Sequence, residues 1–253
     1  MDEDEILYEQ QERVNSFECD FQGQWKAAAI FQHLTEAATI SAGRLGVGFD
    51  AMLEQNLYWV HSRMKIRFLH FPHAGDTVIL RTWPKTVQQK LFYVRDFELL
   101  DEQKQPLALA TSAWLVINAS SRRMVSPYSL NFSLPSIPDR YGLDEPLEKL
   151  GFERSGEERL RVHAGYSAVD MLGHVNNSRY VEWICDAFPM EMYRNNVLDW
   201  MQVNYDHEVR PGEEVALFVE KNDNDATTWQ IIGENLSTNV HAFEASAHWR
   251  CRT

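Results

Sequence analysis

The chain has 253 residues, of which 44% are hydrophobic and 12% aromatic, so it can form one large domain or two of ordinary size with a real core. Its formal net charge of −13 argues against nucleic acid as a partner, because no basic stripe is available to neutralise phosphates. No run approaches the ~18 apolar residues of a membrane span. The acidic start MDEDEILYEQQE is unlike a presequence, so we expect a cytoplasmic protein with no membrane partner.

The first half of the sequence predicts one helix followed by strands. Ile30, Leu34, Ala37 and Ala38 recur at helical spacing and indicate a helix of about four turns or fewer. Alternating runs rich in β-branched and aromatic residues come next and are typical of strands. These runs are MKIRF, TVILRTW, KLFYVRDFELL and LALATSAWLVIN.

The second half predicts the same elements after a proline-containing stretch that lacks periodicity. An apolar helical face is formed by Tyr180, Trp183, Ile184, Ala187 and Phe188. The strand-like runs that follow are MQVNY, EVALFVE, TWQIIGENL and HAFEASAHW. In the last run apolar and polar residues alternate, which predicts a sheet with one buried face and leaves Glu244 and Ser246 on the opposite face.

An internal repeat organises the chain, because three segments of the first half match segments of the second half in the same order. The matched pairs are Asp20–Leu34 with Asp170–Ile184, Met64–Val78 with Met201–Val215, and Ala110–Val116 with Ala245–Cys251. We therefore predict two copies of one α+β unit, at 1–125 and 161–253, joined by a linker at 126–160.

The segment DMLGHVNN, which starts at Asp170, has the residue types of a catalytic turn. A helix N-terminus carries unpaired N–H groups and a partial positive charge, which suit an oxyanion. Gly173 permits close backbone approach, and Asn176 or Asn177 caps the helix. Asp170 and His174 then supply a carboxylate and an imidazole. The alternative is an ordinary capped helix with a solvated acid and histidine.

The repeat provides an internal control for these polar residues. The first copy has Gln24 where the second has His174, Lys26 where it has Asn176, and Phe71 where it has Glu208. If the polar residues merely built the fold, both copies would carry them. The asymmetry favours one functional site, in the second copy.

Several motifs together resemble the acyl-acyl carrier protein thioesterases, double-hotdog enzymes of fatty acid synthesis in plants and bacteria. The resemblance covers nearly the whole chain, and GHVNN alone is less specific because single-hotdog acyl-CoA thioesterases share it. The motifs are DMLGHVNNSRYVEW in the second half and SAGRLGVGF, NLYWVHSRMKI, GDTVILRTWP and SAWLVINASSRR in the first. The resemblance implies a tandem double hotdog, in which each repeat is a long helix wrapped by a curved antiparallel sheet.

The resemblance also implies an activity and its residues. The family hydrolyses fatty acyl-acyl carrier protein thioesters without a cofactor, and its catalytic acid, histidine and glutamate fall on Asp170, His174 and Glu208. The chain departs from the family twice. Leu172 replaces an asparagine, and Val209 replaces the cysteine of plant members, so a cysteine nucleophile has no candidate there. The remaining chemistry uses carboxylates and water.

Other functions stay open at this stage. An acyl-CoA thioesterase could use the same scaffold, and so could a non-catalytic acyl-binding module, although that would not need two carboxylates and a histidine in one copy. GYSAV lacks the closing glycine of a serine-hydrolase elbow, and the two histidines of HFPH have no nearby third ligand. We therefore predict no metal site. A homodimer stays open.

Two further sets of residues complete the prediction. The more apolar first copy is expected to form the acyl pocket, with Trp59, Met64 and Ile66 as lining residues or, alternatively, as its own core. An acidic carrier protein, or coenzyme A phosphates, would need a local basic surface, whose alternative is an ordinary solvated face. The candidates for it are Arg122, Arg123, Arg154, Arg159 and Arg161.

Overall fold

The computed structural model describes residues 2–252, which form two compact units. The first unit comprises residues 2–26 and 32–147, and the second comprises residues 27–31 and 148–252. No helix in this described part of the chain combines the length and the hydropathy of a membrane-spanning segment.

The first unit is a five-stranded antiparallel sheet with one long helix. Its strand order is β1-β3-β4-β5-β2, and a short strand, β6, pairs with β5. The elements are α1 (Glu3–Ile6), β1 (Tyr8–Arg13), α2 (Ala27–Arg44), α3 (Phe49–Glu54), β2 (Leu57–Phe68), β3 (Thr77–Gln88), β4 (Phe92–Asp101), β5 (Pro106–Asn118) and β6 (Met124–Val125). The first five residues of α2 are grouped with the second unit.

The second unit repeats this strand order. Its antiparallel sheet runs β7-β9-β10-β11-β8, which is the order of the first unit, strand for strand. The elements are β7 (Glu157–His163), α4 (Asn177–Asp186), α5 (Met190–Asn195), β8 (Asn196–Tyr205), β9 (Glu214–Asn222), β10 (Asp225–Asn235) and β11 (Val240–Cys251). The predicted α+β class with antiparallel strands is thereby confirmed.

All eight predicted runs fall on strands, with Lys90, Leu91 and Leu236 just outside them, but β1 and β7 were not predicted. Both are polar, YEQQER and EERLRVH, and each pairs with a single strand of its own sheet, β3 or β9. Such strands are commonly kept polar because this discourages pairing with other chains. In β1 only Tyr8 is apolar, and in β7 only Leu160 and Val162 alternate with polar residues, so the pattern is shorter than in the runs that were predicted.

The predicted length of the first helix was wrong. Helix α2 has 18 residues, which is about five turns. It ends at Arg44, just before Gly46, whose φ of 75° cannot continue a helix. Helix α4 has only 10 residues and ends before Pro189.

The prediction that the last strand has one buried face was also wrong. Glu244 is only 5% exposed and Ser246 only 6%, although both lie on the polar face of β11. A segment between the repeats covers this face, where the Gly151 N–H donates to Glu244 Oε2 at 2.6 Å. Polar residues on β11 are buried because the chain supplies partners for them.

In the first unit, residues 137–147, here called the strap, run over the sheet. The Ile137 N–H donates to the Pro84 carbonyl at 2.9 Å, and the Gly142 N–H donates to Asp96 Oδ2 at 2.9 Å. Glu145 pairs with Lys65 at 2.7 Å and with Arg67 at 2.6 Å. The strap lies inside the predicted linker, yet hydrogen bonds and ion pairs fix it to the sheet.

Candidate active site

The predicted catalytic turn is a closed loop that leads directly into helix α4. The Asp170 N–H donates to the His174 carbonyl at 3.0 Å, and the Gly173 N–H donates back to the Asp170 carbonyl at 3.0 Å. Gly173 has a φ of 80°, which non-glycine residues rarely adopt. A glycine here closes the loop and brings Asp170 close to the start of the helix.

Asn176 links the start of α4 to the Asp170 carboxylate. Its Oδ1 accepts from the Ser178 N–H at 3.0 Å, so Asn176 is the N-cap. Its Nδ2 donates to Asp170 Oδ2 at 3.3 Å, while Asp170 Oδ1 accepts from the Leu172 N–H at 2.9 Å. The side-chain oxygen of Asn176 therefore caps the helix, and its side-chain nitrogen binds the Asp170 carboxylate.

His174 and Glu208 meet beside this turn. His174 Nε2 lies 3.2 Å from Glu208 Oε2, and their side chains are 27% and 48% exposed. Glu208 follows β8 on a loop that is tied to the turn, because the Val175 N–H donates to the Val209 carbonyl at 2.9 Å. The pair is therefore open to solvent but fixed at its backbone.

The structure joins some of the predicted site residues and leaves others apart. His174 contacts Glu208, and Asp170 contacts Asn176. Within residues 2–252, no hydrogen bond or ion pair joins the side chain of Asp170 to that of His174 or Glu208. Asn177 is the first residue of α4, and the N–H groups of Ser178 and Arg179 that follow it donate to the Asn176 side chain and carbonyl.

The first copy contains the same turn with different side chains. The Asp20 N–H donates to the Gln24 carbonyl at 2.8 Å, the Gly23 N–H donates to the Asp20 carbonyl at 3.0 Å, and Gly23 has a φ of 76°. Asp20 Oδ1 accepts from the N–H groups of Gln22 and Gln24 at 2.8 and 3.0 Å. An aspartate therefore closes the turn in both copies, and only the other polar residues are specific to the second.

At the other differing positions the first copy has no equivalent chemistry. Lys26 precedes α2 without making a side-chain cap. Phe71, in the place of Glu208, stacks on Phe68 with a centroid distance of 4.8 Å. The imidazole–carboxylate pair and the amide cap thus occur together in one copy of the repeat.

The predicted pocket residues lie in the first unit. Met64 and Ile66 have no exposed surface. Trp59 is half-buried, its Nε1–H donates to the Val47 carbonyl at 2.8 Å, and its ring meets Tyr93 edge-on. As lining residues of an acyl pocket they stay a prediction.

Most of the predicted docking arginines have acidic neighbours. Arg154 lies 2.8 Å from Glu234, Arg161 lies 2.9 Å from Glu158, and Arg159 lies 3.9 Å from Glu157. In the first unit Arg122 donates to the Tyr58 hydroxyl at 3.0 Å, and Arg123 is exposed. Within residues 2–252 no group of three or more histidine, cysteine, aspartate or glutamate side chains is placed to hold a metal ion.

Sequence reasoning missed one residue of this region. Tyr180 was assigned to the apolar face of its helix, yet its hydroxyl accepts a hydrogen bond from the Val209 N–H at 3.2 Å. The repeat contains a signal for it, because the first copy has Ile30 at the place of Tyr180 and Pro72 at the place of Val209.

Two copies of an α+β unit, with an acid, a histidine and a glutamate around the N-terminus of one helix only, define a class of duplicated scaffolds with a single polar site. Two family models match this chain: the acyl-ACP thioesterase N-terminal domain over residues 5–127 and the acyl-ACP thioesterase C-terminal domain over residues 153–250. The chain belongs to the acyl-ACP thioesterase family.

Individual relatives agree with this assignment. The chain is 26% identical to a chloroplastic palmitoyl-acyl carrier protein thioesterase of Arabidopsis thaliana, over 81% of this chain and 53% of the relative. It is 26% identical to a chloroplastic oleoyl-acyl carrier protein thioesterase of Coriandrum sativum, over 96% of this chain and 70% of the relative. The chain thus spans about half the length of the Arabidopsis relative.

A solved structure of similar size shares the fold. The crystal structure of an acyl-ACP thioesterase from Bacteroides thetaiotaomicron superposes with a TM-score of 0.84 at 25% identity, covering 99% of this chain and 100% of that one. The predicted resemblance to this family is confirmed.

Proposed function

We propose that this protein hydrolyses fatty acyl-acyl carrier protein thioesters and releases free fatty acids. The observation that carries the proposal is the His174–Glu208 pair, 3.2 Å apart beside the start of α4 and absent from the first copy of the repeat. Membership of the family and the names of the palmitoyl- and oleoyl-acyl carrier protein relatives support it.

In the proposed reaction, a water oxygen attacks the thioester carbonyl carbon, the C–S bond breaks, and the departing thiolate takes up a proton. Glu208 and His174 receive the proton of the attacking water and return it to the thiolate. The Asn177 N–H at the start of α4 and the positive end of the helix dipole stabilise the oxyanion. Asp170, held by Asn176 and the Leu172 N–H, is the second candidate base.

We further propose that the two units are hotdog domains, with α2 and α4 as the helices that the curved sheets wrap. The identical strand order of the two sheets supports this arrangement. The first unit would then contain the acyl pocket and the second the reacting groups. Localisation in the cytoplasm and assembly into a homodimer stay predictions of the sequence.

The test is turnover of matched acyl-acyl carrier protein and acyl-CoA thioesters, measured as released thiol, with His174→Gln as the inactive control. We expect a higher kcat/KM for the carrier-bound substrates. A higher kcat/KM for the coenzyme A esters would favour the acyl-CoA thioesterase alternative. Binding of acyl chains without turnover would favour the acyl-binding module instead.

A further inference from the structure

The Tyr180 hydroxyl lies beneath the loop that carries Glu208. Tyr180 is 2% exposed, and its ring packs against Phe243, Trp183 and Tyr205 at centroid distances of 5.0, 5.4 and 5.9 Å. Its oxygen accepts from the Val209 N–H at 3.2 Å. A side chain fixed on three sides therefore holds the backbone one residue after Glu208.

The first copy dispenses with this hydrogen bond. Pro72 stands where the second copy has Val209, and proline has no N–H to donate. Ile30 stands where the second copy has Tyr180, so there is no hydroxyl either. The surrounding backbone is nevertheless the same, because the Trp25 N–H donates to the Pro72 carbonyl at 2.8 Å and the Val175 N–H to the Val209 carbonyl at 2.9 Å. The two copies therefore differ at both partners of this hydrogen bond.

The hydrogen bond from Val209 to Tyr180 occurs in the copy that has Glu208 at the preceding position, and it is absent from the copy that has Phe71 there. Phe71 stacks on Phe68, so its own packing positions it. Glu208 is half-exposed, and its carboxylate contacts His174. A solvated carboxylate has little packing to orient it, so its position depends on the backbone that carries it.

We propose that Tyr180 is a positioning residue, which holds the loop at Val209 and thereby holds Glu208 against His174. The inference rests on the proposed function of that pair. Burial raises the pKa of Tyr180, and the nearby carboxylates of Glu208 and Asp170 raise it further, so the hydroxyl stays neutral. Tyr180 acts through its hydrogen bond and does not touch the substrate.

The first arm of the test asks whether the hydroxyl holds the loop, independently of any activity. In Tyr180→Phe the Val209 N–H has no acceptor, so we expect faster hydrogen–deuterium exchange in the peptide that contains residues 206–210. The matched control is Tyr193→Phe, which removes a hydroxyl that donates to the Cys185 carbonyl at 2.7 Å elsewhere in the second unit. Unchanged exchange around Val209 in Tyr180→Phe would overturn the inference, even if the wild-type protein hydrolysed no thioester.

The second arm asks whether Tyr180 acts through Glu208. We expect Tyr180→Phe to lower kcat about tenfold with little change in KM, and Tyr193→Phe to leave both unchanged. In a Glu208→Gln background the further loss from Tyr180→Phe should largely vanish, because the residue it positions is already disabled. An equal loss in both backgrounds would mean a general structural role and would overturn the inference.

A third variant covers the case in which Tyr180→Phe does not fold. Val209→Pro in that background removes the N–H that lacks an acceptor, as Pro72 does in the first copy, and should restore folding. Tyr180→Phe/Val209→Pro is then compared with Val209→Pro alone. Because the donor is already gone from both, their kcat values should be equal, and a further tenfold loss from Tyr180→Phe would overturn the inference. Failure of wild-type turnover would count against the proposed function, whereas failure of the comparison counts against Tyr180 alone.

Discussion

At the scale of single residues, a comparison of Asp20 with Asp170 shows which hydrogen bonds of the aspartate occur in both turns and which occur only in the candidate site. Asp20 and Asp170 both accept hydrogen bonds from backbone N–H groups within their turns. Asp170 alone also accepts from an asparagine amide. The repeat therefore argues for function most strongly at His174, Asn176 and Glu208, and less directly at Asp170.

The acid residues can be tested by near-isosteric changes. We expect Asp170→Asn and Glu208→Gln each to lower kcat by about 100-fold or more, because each removes a carboxylate that can take a proton. The folds should persist, since an Asn side chain can also accept from the backbone of such a turn. Asp20→Asn is the matched control and should leave turnover nearly intact. If it were as damaging as Asp170→Asn, the single-site hypothesis would be wrong.

His33 makes the first unit sensitive to alkaline pH. Burial alone would lower the pKa of His33, but hydrogen bonds to Glu12 and Glu18 outweigh burial and raise it from its ordinary value of 6.5 to about 9. Because the pKa of His33 is raised in the folded protein, protonated His33 stabilises the fold. This stabilisation is fully present below pH 6.5 and is lost as pH rises through about 9. Glu18 Oε1 lies 2.8 Å from His33 Nε2.

We expect the free energy of unfolding to fall by about 2 to 3 kcal/mol between pH 6 and pH 9.5 through His33. Urea unfolding at several pH values measures it. His33→Gln should be less stable than the wild type at pH 6 and should lack this component of the pH dependence. A His33→Gln variant with the same alkaline loss as the wild type would assign the effect to other groups.

At the scale of elements, the start of α4 combines two tasks in one side chain. Asn176 caps the helix through Oδ1 and contacts Asp170 through Nδ2. Asn176→Ala should lower stability by about 1 kcal/mol through loss of the cap and should also lower kcat. Asn176→Ser retains a capping oxygen but has no amide for Asp170, so its melting temperature should stay near that of the wild type while kcat falls. Full activity of Asn176→Ser would show that the amide contact is dispensable.

The strap depends on a glycine at its closest approach to the sheet. A Cβ added at Gly142 would lie 2.7 Å from the Phe97 carbonyl oxygen and 3.1 Å from that of Ala110. Gly142→Ala should therefore lift the strap and lower the free energy of unfolding by about 2 kcal/mol. Gly165→Ala, where a Cβ would meet nothing within 4 Å, is the control. Equal stabilities of the two variants would mean that the strap adapts at little cost.

The local elements were predictable from sequence because their signals are local. The turn at Asp170, the cap at Asn176 and the alternating strands each depend on residues a few positions apart. The strap was missed because the partner of Gly142 is Asp96, on a strand in the middle of the first sheet. Tyr180 was missed for the same reason, since a buried tyrosine on an apolar helix face has the spacing of a core residue whatever its hydroxyl contacts.

At the scale of the whole molecule, the negative charge limits how an acidic carrier protein could dock. Arg154 and Arg161 already pair with glutamates, which reduces the positive potential they offer. Charge reversal at Arg122 and Arg123 should therefore raise the apparent KM for carrier-bound substrate more than reversal at Arg154 and Arg161. The effect should shrink as salt rises. Steady-state kinetics at low and high salt measure it, and unchanged kinetics at low salt in all four variants would exclude these surfaces.

The turn at Asp20 has a consequence for how such a protein changes over evolutionary time. A duplicated unit supplies two backbones, each already bent into the same loop, and only one of them carries the polar side chains of the candidate site. The spare loop is then free to accumulate changes such as Lys26, Phe71 and Pro72, because its hydrogen bonds are made by the main chain and by one aspartate. The first unit therefore retains the hydrogen-bonded framework of the turn without the histidine, amide and glutamate that accompany it in the second.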